Sequence, residues 1–125
     1  MTERKRILVA EDDTELLNLL EMELSLWGYE VLTAVSGRKA LLIAQNEKPD
    51  LMLLDVMLPE IDGYHVAQRI SEQIGDTCPK ILIMTGRDIE REKGIARMCG
   101  ANSTIQKPFK MDDLHKEIAR VLKDA

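Results

Sequence analysis

A chain of 125 residues with a formal net charge of −5 and a pI near 5.1 has room for one ordinary domain with its own apolar core. It lacks the concentrated Lys and Arg that nucleic-acid backbones demand, so residues 1–125 read as a single unit with no direct nucleic-acid partner. Behind the basic start Arg4-Lys5-Arg6 only Ile7-Leu8-Val9-Ala10 is apolar before acid follows, which excludes a secretory leader or membrane span and predicts a cytoplasmic protein.

Ile7–Ala10 is short, branched-rich and flanked by polar segments, as a strand covered on both faces should be, and it stops at Glu11-Asp12-Asp13. Leu16, Leu17, Leu20, Leu24 and Trp27 then share one helical face until Gly28, with Asp13 placed at the helix's positive end. Tyr29–Ala34 reads as a second strand. Ser36 caps a helix that buries Ala40, Leu41 and Ala44 and is stopped by Pro49. The run Leu51-Met52-Leu53-Leu54 forms a third strand ending in Asp55.

Pro59 and Asp62-Gly63 mark a loop, after which Val66, Ala67, Ile70 and Ile74 define a third helix ending near Gly75. Lys80–Met84 is a fourth strand closed by Thr85 and Gly86. Asp88–Cys99 is charge-rich, with Ile89, Ile95 and Met98 as its apolar anchors and Gly94 in its interior, which predicts a weak, mobile fourth helix. Ser103–Gln106 forms a fifth strand closed by Lys107, and Leu114, Ile118, Val121 and Leu122 mark the last helix. Strand and helix periods alternate without repeats or linkers, which is the pattern of a doubly wound α/β sheet.

Parallel strands all point one way, so their terminating residues gather along one edge, where open α/β sheets bind ligands. Glu11, Asp12, Asp55, Thr85 and Lys107 should therefore meet. Acids, a hydroxyl and an ammonium form a site for a metal ion and a phosphoryl group. Two carboxylates about 4 Å apart repel by roughly 4 kcal/mol at an effective dielectric near 20, and Mg²⁺ relieves such strain while keeping a position for a phosphate oxygen. Neither His65 nor His115 stands at a strand end, where it could serve such a site as a general base. Both histidines are assigned to helix surfaces, Met57 and Met84 to core filling. Cys78 and Cys99 lack partners at metal-ligand spacing and read as free thiols in a reducing compartment. Trp27, Tyr29, Tyr64 and Phe109 are the whole aromatic set, too few to stack bases or flavins.

The segments ILVAEDD, LMLLDVMLPEIDG, ILIMTG and IQKPF, in that order, make the chain from about Ile7 to Leu122 resemble the receiver domain of bacterial response regulators. The resemblance implies strand order 2-1-3-4-5 in a flavodoxin-like α/β/α sandwich. It implies Asp55 as phospho-acceptor, Glu11 and Asp12 as the acidic pair, Thr85 as the switch hydroxyl and Lys107 as the phosphoryl-binding cation. Mg²⁺ would be held by Asp12, Asp55 and the main-chain carbonyl of Met57, with Glu11 acting through water. Implied partners are a sensor histidine kinase or histidine phosphotransfer protein upstream and an effector protein or domain downstream; the chain would be a signalling receiver assisting its own phosphorylation, not a conventional enzyme. Thr104 departs from the family, which commonly carries Tyr or Phe three residues before the Lys, so a swinging ring is not available here. Lys107-Pro108 is a candidate cis peptide, expected to fix where the Lys points.

Two other classes fit less well. A haloacid-dehalogenase-like phosphatase also places a nucleophilic Asp after a parallel strand, but needs a second Asp two residues on, where this chain has Met57. A flavodoxin-like electron carrier would need a Ser/Thr/Gly-rich phosphate loop after the first strand, and Glu11-Asp12-Asp13 would repel that phosphate.

Overall fold

The computed structural model describes residues 4–74 and 78–123, the side chain of Ile74 excepted. In chain order the elements are β1 (Arg6–Ala10), α1 (Thr14–Leu26), β2 (Glu30–Ala34), α2 (Gly37–Glu47), β3 (Leu51–Asp55), α3 (Gly63–Ile74), β4 (Lys80–Thr85), α4 (Ile89–Met98), β5 (Ser103–Gln106) and α5 (Met111–Lys123). The five strands form one parallel sheet in the order β2-β1-β3-β4-β5.

Side chains on a strand alternate between faces, and here both faces are apolar. Leu8, Ala10, Met52, Leu54, Ile81 and Ile83 pack with Ala40, Leu41 and Ala44 of α2 and Val66, Ala67 and Ile70 of α3. Ile7, Val9, Leu51, Leu53, Leu82 and Met84 pack with Leu17, Leu20 and Leu24 of α1 and Leu114, Ile118 and Val121 of α5. Three layers result, and the central strands have no polar face. No helix among the described residues is long and apolar enough to cross a membrane.

Helix starts follow the sequence. The Asp13 carboxylate accepts from the N–H groups of Glu15 and Leu16 at the head of α1, and Ser36 Oγ accepts from the Lys39 N–H at the head of α2. Helix α2 ends at Glu47, where Lys48 turns left-handed at φ 48° directly before Pro49, which disfavours helical geometry in the residue preceding it. The end of α3 near Gly75 lies outside the described residues. Lys107-Pro108 is cis, as the sequence allowed. Cys78 and Cys99 are free thiols, both half-buried.

Two expectations need correction. Helix α4 does not bury Ile95 and Met98, which are 46% and 88% exposed; it turns Glu92 and Ala96 inward instead. A carboxylate can occupy that inner face because the Tyr64 hydroxyl donates to it. Met57 is not core filler but 64% exposed, since it lies past the end of β3 while its neighbours Val56 and Leu58 take the buried positions. His115 lies part-exposed on α5, and its ring stacks on Trp27 with centroids 4.1 Å apart and planes 2° from parallel, joining α5 to the end of α1. Met84 is fully buried, and His65 lies exposed beside Asp62, as expected.

Candidate functional site

Hydrogen bonding between strands continues one step beyond three strand ends and so fixes the backbone around the chemically active residues. The Glu11 N–H donates to the Ala34 carbonyl at 3.1 Å, the Val56 N–H to Met84 at 3.1 Å, and the Lys107 N–H to Thr85 at 2.7 Å. Gly63 seals the other side of Asp55. A Cβ on Gly63 would lie 2.3 Å from the Asp55 carbonyl oxygen, so α3 can begin against that peptide only with glycine at this position. The Gly63 N–H also donates to the Val56 carbonyl at 3.0 Å. In the sequence Gly63 showed only as a turn marker.

On this frame Glu11, Asp12 and Asp55 converge, each offering a carboxylate oxygen within 4.8 Å of the others. Lys107 Nζ donates to Glu11 Oε2 at 2.8 Å and stands 3.4 Å from Asp55 Oδ2. The other Glu11 oxygen accepts from the Asp13 N–H at 3.3 Å. Glu11, Asp55 and Thr85 are buried at the floor, while Asp12 is exposed at the rim. Thr85 Oγ1 accepts from the Arg87 N–H at 3.0 Å, so the hydroxyl is engaged with its own turn. All five residues placed at this edge by the sequence are thus brought to it. Gly86 stands in open space, where a Cβ would meet nothing within 4 Å, so static packing does not demand its small size.

Burial pushes the Glu11 carboxyl above its ordinary value; Lys107 opposes this and the Asp55 charge reinforces it. For Lys107, burial acts downward, but the hydrogen bond to Glu11 and the charges of Asp55 and Glu11 outweigh it and leave the ammonium above its ordinary value. Burial thus leads the Glu11 direction, whereas the Lys107 direction comes from the acids around it. At 4.8 Å a pair of carboxylates repels by about 3 kcal/mol at an effective dielectric near 20, and one ammonium cannot offset a cluster of three acids. A donor set made of carboxylate oxygens with one member open to solvent suits a small, hard dication that keeps some of its water.

A cleft of about 370 Å³, lined in part by Asp12, Met57, Pro59 and Arg87, opens beside these acids. The Arg87 guanidinium reaches the Met57 sulfur at 3.6 Å across it. A groove of about 500 Å³ lies elsewhere, between α4 and α5, and contains none of the site acids.

A doubly wound parallel sheet with buried acids and a lysine converging at its carboxyl edge defines a phosphate- or metal-handling α/β domain. The chain belongs to the response regulator receiver domain family, whose sequence profile matches residues 7–119. It is 37% identical over 119 residues to the alkaline phosphatase synthesis transcriptional regulatory protein PhoP of Bacillus subtilis, covering 95% of this chain and 49% of that protein. It is 40% identical over 121 residues to a probable transcriptional regulator, ycf27, of Galdieria sulphuraria, covering 96% and 46%. The chain therefore spans about half the length of these relatives. Among solved structures, a CheY-like receiver domain protein from Methanospirillum hungatei superposes with a TM-score of 0.89 at 29% identity, covering 98% of this chain and 96% of that one. The receiver domain of the sensor histidine kinase PA1611 from Pseudomonas aeruginosa, solved with a magnesium ion coordinated in its active-site cleft, gives 0.86 at 26% identity over 97% and 99%.

Proposed function

We propose that residues 1–125 act as a single receiver unit in which Asp55 accepts a phosphoryl group in a Mg²⁺-dependent reaction. The observation behind this is the buried Asp55 carboxylate, clustered with Glu11 and Asp12 and 3.4 Å from Lys107 Nζ. Asp12, Asp55 and the Met57 carbonyl would hold the ion, with Glu11 joined through water. Bound there, Mg²⁺ would supply the positive charge that lets an anionic phosphoryl group approach an anionic nucleophile.

An Asp55 oxygen forms the new bond to phosphorus while the donor's bond to phosphorus breaks and its electron pair leaves with the donor. A phosphohistidine on a sensor kinase or phosphotransfer protein, or a small acyl phosphate, already carries such a leaving group. The rest is positioning and charge stabilisation. Lys107, already shared between Glu11 and Asp55, turns a donor to the new phosphoryl oxygens, and Thr85 gives up the Arg87 N–H to do the same. Two or three such charge-assisted bonds, at roughly 1.5 to 3 kcal/mol each, are of the order needed to move a balance from 1:99 to 99:1, which takes about 5.5 kcal/mol. The altered surface then engages an effector protein or domain; the acidic receiver itself offers no nucleic-acid surface.

The test is intact-mass measurement after incubation with Mg²⁺ and acetyl phosphate. One hydroxylamine-labile phosphoryl group is expected on the parent and none on Asp55→Asn. Equal labelling of the two proteins would reject Asp55 as the acceptor.

A further inference from the structure

Phosphorylation at the sheet edge has to be felt elsewhere, and with Thr104 in β5 no ring is available at that position to carry the movement. A different connection spans the same region. Tyr64, in the first turn of α3, donates its hydroxyl to Glu92 Oε1 at 2.6 Å. Glu92 is only 6% exposed and, with Ala96, forms the inward face of α4. The remaining hold of α4 on the body is slight: Ile89 is half-buried, Ile95 and Met98 face outward, and Gly94 weakens the helix from within.

Both partners in this bond are close along the chain to the proposed chemistry. Tyr64 follows Gly63, which packs directly on the Asp55 peptide, and α3 is anchored just beyond by the fully buried Val66, Ala67 and Ile70. Glu92 belongs to the first turn of the helix entered from Thr85, Gly86 and Arg87. When the Thr85 hydroxyl turns toward a phosphoryl group it releases the Arg87 N–H, and the open space around Gly86 leaves that turn free to move. Because Tyr64 is fixed by α3, a displacement of α4 by about 1 Å carries the bond past hydrogen-bonding distance. Burial and the adjacent carboxylate push the Tyr64 phenol above its ordinary range, so it keeps the proton it donates.

We propose that the Tyr64–Glu92 hydrogen bond is a resting-state latch that opposes displacement of α4 when Asp55 is phosphorylated. The proposal rests on Asp55 being the acceptor. The latch stabilises the resting arrangement alone, so its loss shifts the balance toward the displaced one and tightens binding of anything that favours displacement.

The probe is beryllofluoride with Mg²⁺, which mimics an aspartyl phosphate without turnover, applied to the parent, Tyr64→Phe, Glu92→Gln and the double variant. Tyr64→Phe removes one oxygen and keeps the ring; Glu92→Gln keeps an uncharged acceptor of the same size and decides the matter should the first variant not fold. Tyr64→Phe is expected to bind beryllofluoride about tenfold tighter and to exchange amides in residues 89–98 about tenfold faster at rest. Glu92→Gln should do the same to a smaller degree, and the double variant should add little to Tyr64→Phe. Unchanged or weaker beryllofluoride binding in both single variants overturns the latch. Acetyl phosphate labelling of the parent separates the two readings: a labelled parent with unmoved variants rejects the latch alone, whereas an unlabelled parent rejects the phospho-acceptor reading and the latch with it.

Discussion

The two ends of the sheet use the same kinds of charge to opposite effect. At the amino end Arg6 reaches Glu30 through Nε at 2.7 Å and Glu47 through Nη2 at 2.7 Å, while its backbone N–H takes Asp50 at 2.8 Å. At the carboxyl end Lys107 faces Glu11, Asp12 and Asp55. The amino-end acids fan outward, each on its own donor, with Glu30 and Glu47 side chains 48% and 49% exposed. At the carboxyl end the acids aim at one point, and the Glu11 and Asp55 side chains are only 2% and 7% exposed. Counting charges would not distinguish the two rims. Convergence and burial do, because like charges taken out of water keep a repulsion that solvent would otherwise screen.

Removing the cation from each rim gives the largest expected contrast. Lys107→Ala leaves two buried acids facing each other and should cost about 2–3 kcal/mol at neutral pH in urea unfolding, below the full value for a deeply buried pair because Lys107 is partly exposed. The domain should still fold, and phosphorylation should no longer change amide exchange across residues 88–99. Arg6→Ala removes screened surface pairs, and its smaller effect should fade in high salt. Equal losses with equal salt dependence would erase the distinction between the rims.

Removing an acid sharpens the contrast further. Asp55→Asn relieves repulsion in the cluster and should raise stability by about 1–2 kcal/mol in metal-free buffer, the pairwise figure of about 3 kcal/mol being reduced by the exposure of Asp12 and by the loss of the Lys107 contact at 3.4 Å. The parent should gain thermal stability on adding Mg²⁺, and the variant should gain much less. A variant no more stable than the parent would show that the cluster carries no strain.

Much of the carboxyl rim is legible in the sequence. Apolar runs that end in Glu11, Asp55 and Thr85 read as parallel strands covered on both faces, and parallel strands deliver their ends to one edge, where the more polar Ser103–Gln106 run brings Lys107. What stayed hidden depends on contacts distant in sequence. The inward face of α4 is set by Glu92, whose burial makes sense only with a hydroxyl 28 residues upstream, so apolar periodicity chose the wrong face. The stack of Trp27 on His115 joins two helices from opposite ends of the chain. Met57 lies where strand alternation has ended and no period applies. Gly63 read as a turn marker because the approach of another peptide to its Cα leaves no trace in composition.

The smallest predicted effect concerns an acid paired with a neighbouring arginine. Glu117 of α5 pairs with Arg120 and accepts from Ser103 Oγ, and these contacts, led by Arg120, hold its carboxyl below the ordinary value of 4.5. A lowered folded value means that the unfolded chain binds the proton more tightly. The stability Glu117 contributes is therefore present above pH 4.5 and lost as pH falls through the folded value. The parent's advantage over Glu117→Gln should shrink on acidification below about pH 4.5, measured as urea midpoints between roughly pH 3 and 6. Glu11 is raised in the folded state, so the linkage runs the other way: its contribution is present below pH 4.5 and lost as pH rises through its folded value. In metal-free buffer Glu11→Gln should gain on the parent as pH climbs above about 4.5, while Glu117→Gln falls behind it. The same residue type would then report opposite slopes, one for an acid whose pairing with Arg120 outweighs its burial and one for an acid whose burial outweighs its pairing with Lys107. Parallel slopes would mean that local pairing, and not burial at the rim, governs both.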